Sequence, residues 1–254
     1  MGKPHGRVAI ITGAGDVVGT AAARAAARLG FTVAAVDRKA ALCNHTLDAL
    51  DALGRPGRAF EADVTLAHEA EATVGRVCEE LGPPSALVNN PQFAWSAPHI
   101  PSASEDDWDT VLRVNLRAAF LMSRAVEHHL VRQGSGRIVN VASAPSPDTG
   151  MRAAIATARA GLHGFSRVLA AELGPFGVTV NTVIPGYIET KAAQVVAARH
   201  GLNLVSQQKD AAMQAPLGRT TSPEDVGDAV RYFLSDVAHA ISGQFMALAD
   251  GHLA

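Results

Sequence analysis

The sequence is poor in several residue types, and each scarcity excludes a class of protein. It has only two cysteines among 254 residues, which excludes a disulfide framework and a zinc site held by cysteines. A formal net charge of −2 excludes the basic surface of a nucleic-acid-binding protein and a polybasic membrane anchor. Since no run approaches the roughly 20 apolar residues of a membrane span, we expect a cytoplasmic protein that contacts neither nucleic acid nor membrane. The ten histidines show no metal-ligand spacing, so we expect no metal site.

Tyrosine is also scarce, and this scarcity limits the possible proton donors. The chain has two tyrosines, Tyr187 and Tyr232, within an aromatic content of 5%. Any chemistry that needs a phenol must therefore use one of these two positions.

Apolar runs and amphipathic segments alternate along the whole chain. The runs predict strands over 7–12, 32–36, 58–61, 86–89, 137–142, 178–184 and 244–248. The amphipathic segments predict helices over 17–29, 40–53, 66–81, 105–132, 152–173 and 223–235. This alternation predicts one α/β domain over residues 1–254, a Rossmann-like, doubly wound parallel sheet with strand order 3-2-1-4-5-6-7 and helices on both faces. Residues 186–221 form too long a connection for an ordinary turn and are predicted to be a substrate loop.

The first strand-to-helix junction is rich in glycine. Thr12, Gly13 and Gly15 end the first predicted strand, and Gly19 follows inside the helix. Such a turn lets the backbone approach a pyrophosphate at a helix N-terminus, although a tight structural turn has the same sequence.

An acidic residue, Asp37, ends the second predicted strand. A carboxylate there accepts both ribose hydroxyls and repels a 2′-phosphate, which favours NAD over NADP. Arg7 and Arg38 argue the other way, and Asp37 is alternatively a cap for the next helix.

These motifs, with others in the same order, resemble the short-chain dehydrogenase/reductase family over essentially the whole chain. Thr12 to Gly19 is similar to the family pattern Thr-Gly-x-x-x-Gly-x-Gly, and Asn115 resembles the asparagine of its long fourth helix. Ser143 is similar to the family's catalytic serine. The resemblance implies a cofactor site formed by Thr12, Gly13, Gly15, Val18, Gly19, Asp37, Asp63, Val64, Asn89, Arg159, Pro185, Gly186 and Thr190.

The family's proton-transfer pair has no counterpart in this sequence. The family places a tyrosine and a lysine four residues apart, and this spacing puts both on one helical face. The segment Ala160-Gly161-Leu162 sets the register and puts Arg159 at the lysine and Ile155 at the tyrosine. Shifting the register by one residue gives alanine, so no register supplies a phenol.

Two further departures fall in the cofactor half. Val17 replaces the middle glycine of the fingerprint, where the dinucleotide passes closely. Pro91 follows Asn90 where the family has alanine, which removes one backbone donor. Both changes predict weakened or altered binding of the dinucleotide.

The candidate catalytic residues are Ser143, Asn115, Arg159 and Tyr187, each with an alternative. Ser143 either polarises a substrate oxygen or bonds the backbone at a strand end. In the family, Asn115 kinks its helix and holds a water, so its role here is alternatively structural. Arg159 binds ribose hydroxyls, binds an anion or pairs with a carboxylate such as Asp148, and Tyr187 either supplies a proton or lines the cofactor pocket.

Three functions remain open. The first is an oxidoreductase-derived enzyme that acts on a small carbonyl or alcohol with NAD(H). The second is a non-redox enzyme, a lyase, a cyclase or a relative of the halohydrin dehalogenases, which resemble this chain in Arg159 and in a bulky residue at Val17. The third is a pseudoenzyme that binds a ligand beside an active homologue. In each case the family resemblance implies a homodimer or homotetramer.

Overall fold

A seven-stranded parallel sheet forms the centre of the molecule. A computed structural model of the protein describes residues 6–91, 100–142, 153–188, 194 and 204–248. The strands are β1 Val8–Thr12, β2 Thr32–Asp37, β3 Arg58–Glu61, β4 Pro84–Asn89, β5 Gly136–Val141, β6 Val178–Pro185 and β7 Phe245–Leu248. They lie in the order β3-β2-β1-β4-β5-β6-β7, so the predicted doubly wound topology is confirmed.

Helices connect the strands and cover both faces of the sheet. They are α1 Val17–Arg28, α2 Asn44–Asp51, α3 Ala67–Glu80, α4 Glu105–Leu112, α5 Ala118–Gln133, α6 Ala153–Leu173, α7 Leu204–Gln214 and α8 Pro223–Leu234. At the start of α8, Ser222 and Asp225 form a capping box and Pro223 occupies the first turn. None of the helices in the described ranges is long and apolar enough to cross a membrane.

One predicted helix, over 105–132, is interrupted in the structure. A π-helical turn, Arg113–Arg117, separates α4 from α5. Such turns insert one extra residue into a helix and are frequent at functional sites. The turn carries Asn115, whose position relative to α6 matters below.

Two apolar layers hold the sheet, because successive residues of a buried strand point to opposite faces. On one face, Ala9 and Ile11 of β1 pack in a cluster with the alanines of α1 and with Val230 of α8. On the other face, Val8 and Ile10 pack with residues of α3 and α5. The alanine side chains let α1 lie close to α8, where a Cβ on Gly227 would lie 3.0 Å from the carbonyl oxygen of Ala21.

The strand order places the candidate residues along one edge of the sheet. Parallel strands end at a common edge, and the order reverses between β1 and β4. Ligands of open α/β sheets bind outside the carboxyl ends of the strands at such a reversal. Thr12, Asp37, Asn89 and Pro185 each end a strand at this edge.

Candidate functional site

Two glycines of the β1–α1 turn have no room for a side chain. Gly13 has φ of +58°, and a Cβ there would overlap the carbonyl oxygen of Asn90. A Cβ on Gly19 would overlap the carbonyl oxygen of Gly13. The turn therefore brings backbone atoms close together at the start of α1, as a pyrophosphate cradle requires.

Asn90 holds this turn in place. Its side-chain Nδ2 donates to the carbonyl oxygen of Gly13 at 3.0 Å and to Oδ1 of Asp16 at 3.2 Å. Its backbone N–H donates to Oγ1 of Thr12 at 3.1 Å. Asn90 thus joins the ends of β1 and β4, a role that the prediction gave to neither this residue nor Thr12. Its position directly after Asn89 was the only signal in the sequence.

Asp16 caps α1 and adds a carboxyl to the cradle. Its Oδ1 accepts a hydrogen bond from the backbone N–H of Gly19 at 2.7 Å. Burial raises the pKa of Asp16, and the nearby negative charge of Asp37 acts in the same direction. Val17 beside it is half-buried, whereas Val18 is buried in the core. Of these two valines, Val17 is therefore the one partly exposed at the turn.

The carboxylate of Asp37 lies against the glycine turn. Asp37 is only 5% exposed. Its Oδ2 accepts a hydrogen bond from the N–H of Gly15 at 3.0 Å, and its Oδ1 accepts one from the N–H of Arg38 at 2.8 Å. It does not cap the following helical turn, whose N-cap residue is Lys39. The carboxylate of Asp37 instead lies against the glycine turn at the end of β2.

Arg7 does not oppose this carboxylate, because it lies before the first residue of β1, at the other end of the strand. Its Nη2 donates to the carbonyl oxygen of Leu29 at 2.6 Å, and its guanidinium lies 4.5 Å from the ring centre of Phe31. Its charge therefore does not favour a 2′-phosphate near Asp37.

Three further predicted cofactor residues make hydrogen bonds or apolar contacts with other parts of the chain. Oδ1 of Asp63 accepts hydrogen bonds from the backbone N–H and the hydroxyl of Thr65, at 3.0 and 2.6 Å. Val64 packs against the core. Nδ2 of the buried Asn89 donates to Oδ1 of Asn140 at 2.8 Å and so joins β4 to β5. These bonds give Asp63 and Asn89 a structural role at the sheet edge.

The end of β6 is tied to β7 and to the start of α8. The N–H of Gly186, which follows Pro185, donates to the carbonyl oxygen of Leu248 at 2.7 Å and to Oγ1 of Thr221 at 3.2 Å. Tyr187 comes next and is half-buried. Ser143, Asp148, Thr190 and the parts of the predicted substrate loop over 189–193 and 195–203 lie outside the described residues.

A pocket brings together several candidates from distant parts of the chain. Ile155 and Arg159, one turn apart on α6, line it with Asn115 of the π-helical turn. Pro91 and Ala142, which follow the ends of β4 and β5, contribute further walls, as do Ala158 and Leu162. Among the described residues that line the pocket there is no tyrosine or lysine. Tyr232 lies on α8 and is 37% exposed.

Two residues that line the pocket carry buried polar atoms whose hydrogen-bonding capacity is unused. Nε and Nη2 of Arg159 are buried without a hydrogen-bond partner. Burial lowers the pKa of Arg159 to about 10, so the side chain stays charged at neutral pH. Nδ2 of Asn115 donates to the carbonyl oxygen of Val111 at 2.7 Å, while its Oδ1 is buried without a partner.

Comparisons with known proteins extend over nearly the whole chain. A family model described as enoyl-(acyl carrier protein) reductase matches residues 13–252. The chain is 34% identical to the short-chain reductase protein NovJ of Streptomyces niveus, over 96% of this chain and 93% of that protein. It is 34% identical to D-threitol dehydrogenase of Mycolicibacterium smegmatis, over 97% and 93%. Its fold is similar to that of a variant actinorhodin polyketide ketoreductase crystallised with NADPH, with a TM-score of 0.90, 28% identity and coverage of 99% and 98%.

Proposed function

Because the chain belongs to the short-chain dehydrogenase/reductase family, we propose that it binds NAD(H) and acts on a small carbonyl or alcohol. The observation that carries this proposal is the buried carboxylate of Asp37 bonded to the glycine turn. Gly13 and Gly19 permit the close backbone contacts of this turn at the N-terminus of α1, where backbone N–H groups can bind a pyrophosphate. NovJ and D-threitol dehydrogenase support an oxidoreductase by their names alone.

The preference for NAD(H) rests on charge. A 2′-phosphate next to Asp37 would place like charges together, whereas ribose hydroxyls can donate to its oxygens. The NADPH in the ketoreductase crystal belongs to a protein of 28% identity and does not decide the preference of this chain.

The proposed chemistry is slow because the described residues that line the pocket include no proton donor of suitable pKa. A bound nicotinamide would supply hydride transfer, so the chain itself needs to orient the substrate and move one proton. Ile155 carries no proton to transfer, and Arg159, with a pKa of about 10, holds its proton at neutral pH. Loss of a general acid costs about 10²–10⁴ in rate. Tyr187 and Ser143 remain candidates for the missing donor.

Calorimetric titration with NADH and NADPH tests the cofactor site. We expect NADH to bind more tightly than NADPH, and binding of neither would contradict the proposal. Gly13→Ala should abolish NADH binding because its Cβ would overlap Asn90. Gly54→Ala is the matched control, since Gly54 also has positive φ, +64°, with nothing within 4 Å of the added Cβ. NADH binding without turnover of any carbonyl would instead favour the pseudoenzyme.

The unused nitrogens of Arg159 favour one second candidate, a non-redox enzyme that stabilises an anion. The resemblance of the sequence to halohydrin dehalogenases supports this second candidate. Titration with bromide in the absence of NADH separates the two candidates. Tight NADH binding with no effect of bromide would oppose a dehalogenase-type pocket.

We also propose that the chain is a homodimer or homotetramer. Phe120 of α5 and Val168 of α6 are 43% and 59% exposed, and Phe120 packs edge-to-face on Phe165. Apolar surface of this kind is typical of interfaces. Ala154 and Ala158 of α6 do not contribute to such an interface, because they are buried within the chain. Light scattering that shows a monomer at micromolar concentration would contradict this proposal.

A further inference from the structure

We propose that the carboxylate of Asp16 competes with the pyrophosphate of a dinucleotide for the N-terminus of α1, and that Asp16 takes up a proton from solvent when the pyrophosphate binds. The inference rests on the proposed function, because the glycine turn is the proposed site of the dinucleotide. It concerns a residue of this chain, so it is tested with a simple phosphate ligand as well as with NADH.

Asp16 already uses backbone donors that an anion needs at this end of the helix. The first N–H groups of a helix have no helical carbonyl partner, and these groups bind anions. In α1 the regular helical bonds begin with the N–H of Thr20, which donates to the carbonyl oxygen of Asp16 at 2.9 Å. The N–H of Gly19 donates instead to Oδ1 of Asp16 at 2.7 Å, and the N–H of Val18 also favours the charged form of this carboxyl. A negative charge of the chain itself therefore lies where a pyrophosphate would bind.

A second contact fixes the carboxyl of Asp16 at this place. Nδ2 of Asn90 donates to Oδ1 of Asp16 at 3.2 Å and to the carbonyl oxygen of Gly13 at 3.0 Å. If the Asp16 side chain moved into solvent, it would lose this bond and the bond from Gly19, and α1 would lose its cap. A protonated carboxyl keeps an acceptor oxygen for these donors, so protonation removes the charge and leaves the side chain in place.

The surroundings of Asp16 already favour its protonation. Burial is the largest influence that raises the pKa of Asp16, and the negative charge of Asp37 at the end of β2 raises it further. The hydrogen bonds from Gly19, Asn90 and Val18 lower the pKa but do not cancel this increase. Among the described residues, α1 and the ends of β2 and β4 supply the groups that shift it, and Asp37 is the one that carries a charge. A bound pyrophosphate adds negative charge and therefore raises the pKa of Asp16 again.

This role of Asp16 differs from the role proposed for Asp37. Asp37 is proposed to contact the ribose and so to separate NADH from NADPH, whereas both dinucleotides carry the pyrophosphate. Asp16 should therefore weaken the binding of NADH and NADPH alike. Because the pKa of Asp16 is higher in the complex than in the free chain, affinity is highest at low pH. It falls as pH rises from the first pKa to the second.

The main test is calorimetric titration of the unaltered full-length chain and of Asp16→Asn with NADH, NADPH and adenosine at pH 8. Asparagine caps a helix as well as aspartate does, so the variant keeps an acceptor for Gly19 and loses the charge. We expect both dinucleotides to bind the variant at least about tenfold more tightly, because a like charge is removed. Adenosine has no phosphate and should bind both proteins equally. Asp51→Asn, which removes an exposed carboxylate of α2, is the matched control and should change no affinity.

Dinucleotide binding by Asp16→Asn that is no tighter than binding by the unaltered chain would overturn the inference. An equal gain for adenosine would also overturn it, because the effect would then not depend on the pyrophosphate.

Proton uptake is measured on the unaltered chain, so the inference stays testable if the variant fails to fold. Titration with ADP-ribose in two buffers of different ionisation enthalpy gives the number of protons taken up on binding. We expect uptake of up to one proton per ligand, and tighter binding at pH 6 than at pH 8. The uptake should persist in Asp37→Asn and disappear in Asp16→Asn. No uptake anywhere from pH 6 to pH 9, or uptake that disappears in Asp37→Asn alone, would overturn the inference.

Inorganic pyrophosphate separates this inference from the proposed function, because it makes no contact through a ribose or a nicotinamide. If neither protein binds NADH but Asp16→Asn binds pyrophosphate about tenfold more tightly than the unaltered chain, the inference stands and the proposed function fails. NADH binding that changes neither with Asp16→Asn nor with pH leaves the proposed function standing and overturns the inference. Binding of neither ligand to either protein contradicts both.

Discussion

Replacing Asp37 by asparagine should lower both the stability and the cofactor preference of the protein. The two carboxylate oxygens accept hydrogen bonds from different N–H groups, those of Gly15 and Arg38. The Asp37→Asn side chain has one acceptor oxygen, so one of these N–H groups would face an amide NH₂. Because both hydrogen bonds are only partly buried, the loss of one costs about 1 kcal/mol. For a chain of this length the melting temperature should fall by roughly 2–4 °C.

The change in cofactor preference follows from the lost charge. Two like unit charges at 4 Å repel by about 4 kcal/mol at an effective dielectric constant of 20, and solvent at the open side of the turn reduces this. If about half of this repulsion remains in the native protein, Asp37→Asn strengthens NADPH binding by about 2 kcal/mol, or roughly 30-fold in affinity. The same substitution removes a charged hydrogen bond between Asp37 and the ribose of NADH. NADH therefore binds more weakly, which shifts the ratio of NADH to NADPH affinity further.

Parallel calorimetric titrations of NADH and NADPH, with thermal unfolding of the same samples, measure both effects. Asp51→Asn, which removes an exposed carboxylate on α2, is the control for net charge. An Asp37→Asn protein with an unchanged ratio of NADH to NADPH affinity would refute the assignment of Asp37 to the ribose. An unchanged melting temperature would refute the role of its two hydrogen bonds.

Three further predictions concern other parts of the chain. Val17→Gly should strengthen NADH binding in a titration and cost at most about 1 kcal/mol of stability, because it removes a branched side chain from the first turn of α1; weaker binding would contradict this. Asp225→Asn should lower the free energy of unfolding by about 1 kcal/mol at pH 7, measured with denaturant. Arg219 and the cap bonds to Ser222 lower the pKa of Asp225 to about 2, so the carboxylate stabilises the fold above pH 4 and this stabilisation is lost as pH falls through 2. At that pH the stabilities of the two proteins should converge. Burial, together with the negative charge of Asp37, raises the pKa of Cys43 to about 12. Iodoacetamide at pH 8 should therefore not label Cys43 before the protein unfolds. Rapid labelling of the folded chain would be inconsistent with the burial of Cys43.

Most of the fold could be predicted because it depends on local patterns. Buried parallel strands appear as short apolar runs, and right-handed connections leave few possible orders for them. The start of α8 was predictable for the same reason, since Ser222, Pro223 and Asp225 act within one turn. Asp37 could be found because a strand end fixes its place.

The features that escaped prediction depend on contacts between distant segments. The apolar pattern did not show the π-helical turn at Arg113–Arg117, although the family resemblance implied a kink at Asn115. The bond from Asn90 to Gly13 joins residues far apart in the sequence. Nε and Nη2 of Arg159 lack a partner where α6 packs beside the π-helical turn. No local sequence pattern shows this packing.

The central claim is that the chain keeps a cofactor site and lacks the proton-transfer pair. The most direct test measures the rate of NADH oxidation with neutral ketones and aldehydes. It compares the unaltered chain with an Ile155→Tyr, Arg159→Lys double variant. Restoring a tyrosine one turn before a lysine on α6 should raise the rate by about 10²–10⁴ at neutral pH. A double variant that still binds NADH and gains no rate would show that the missing pair does not limit activity, and would contradict the account.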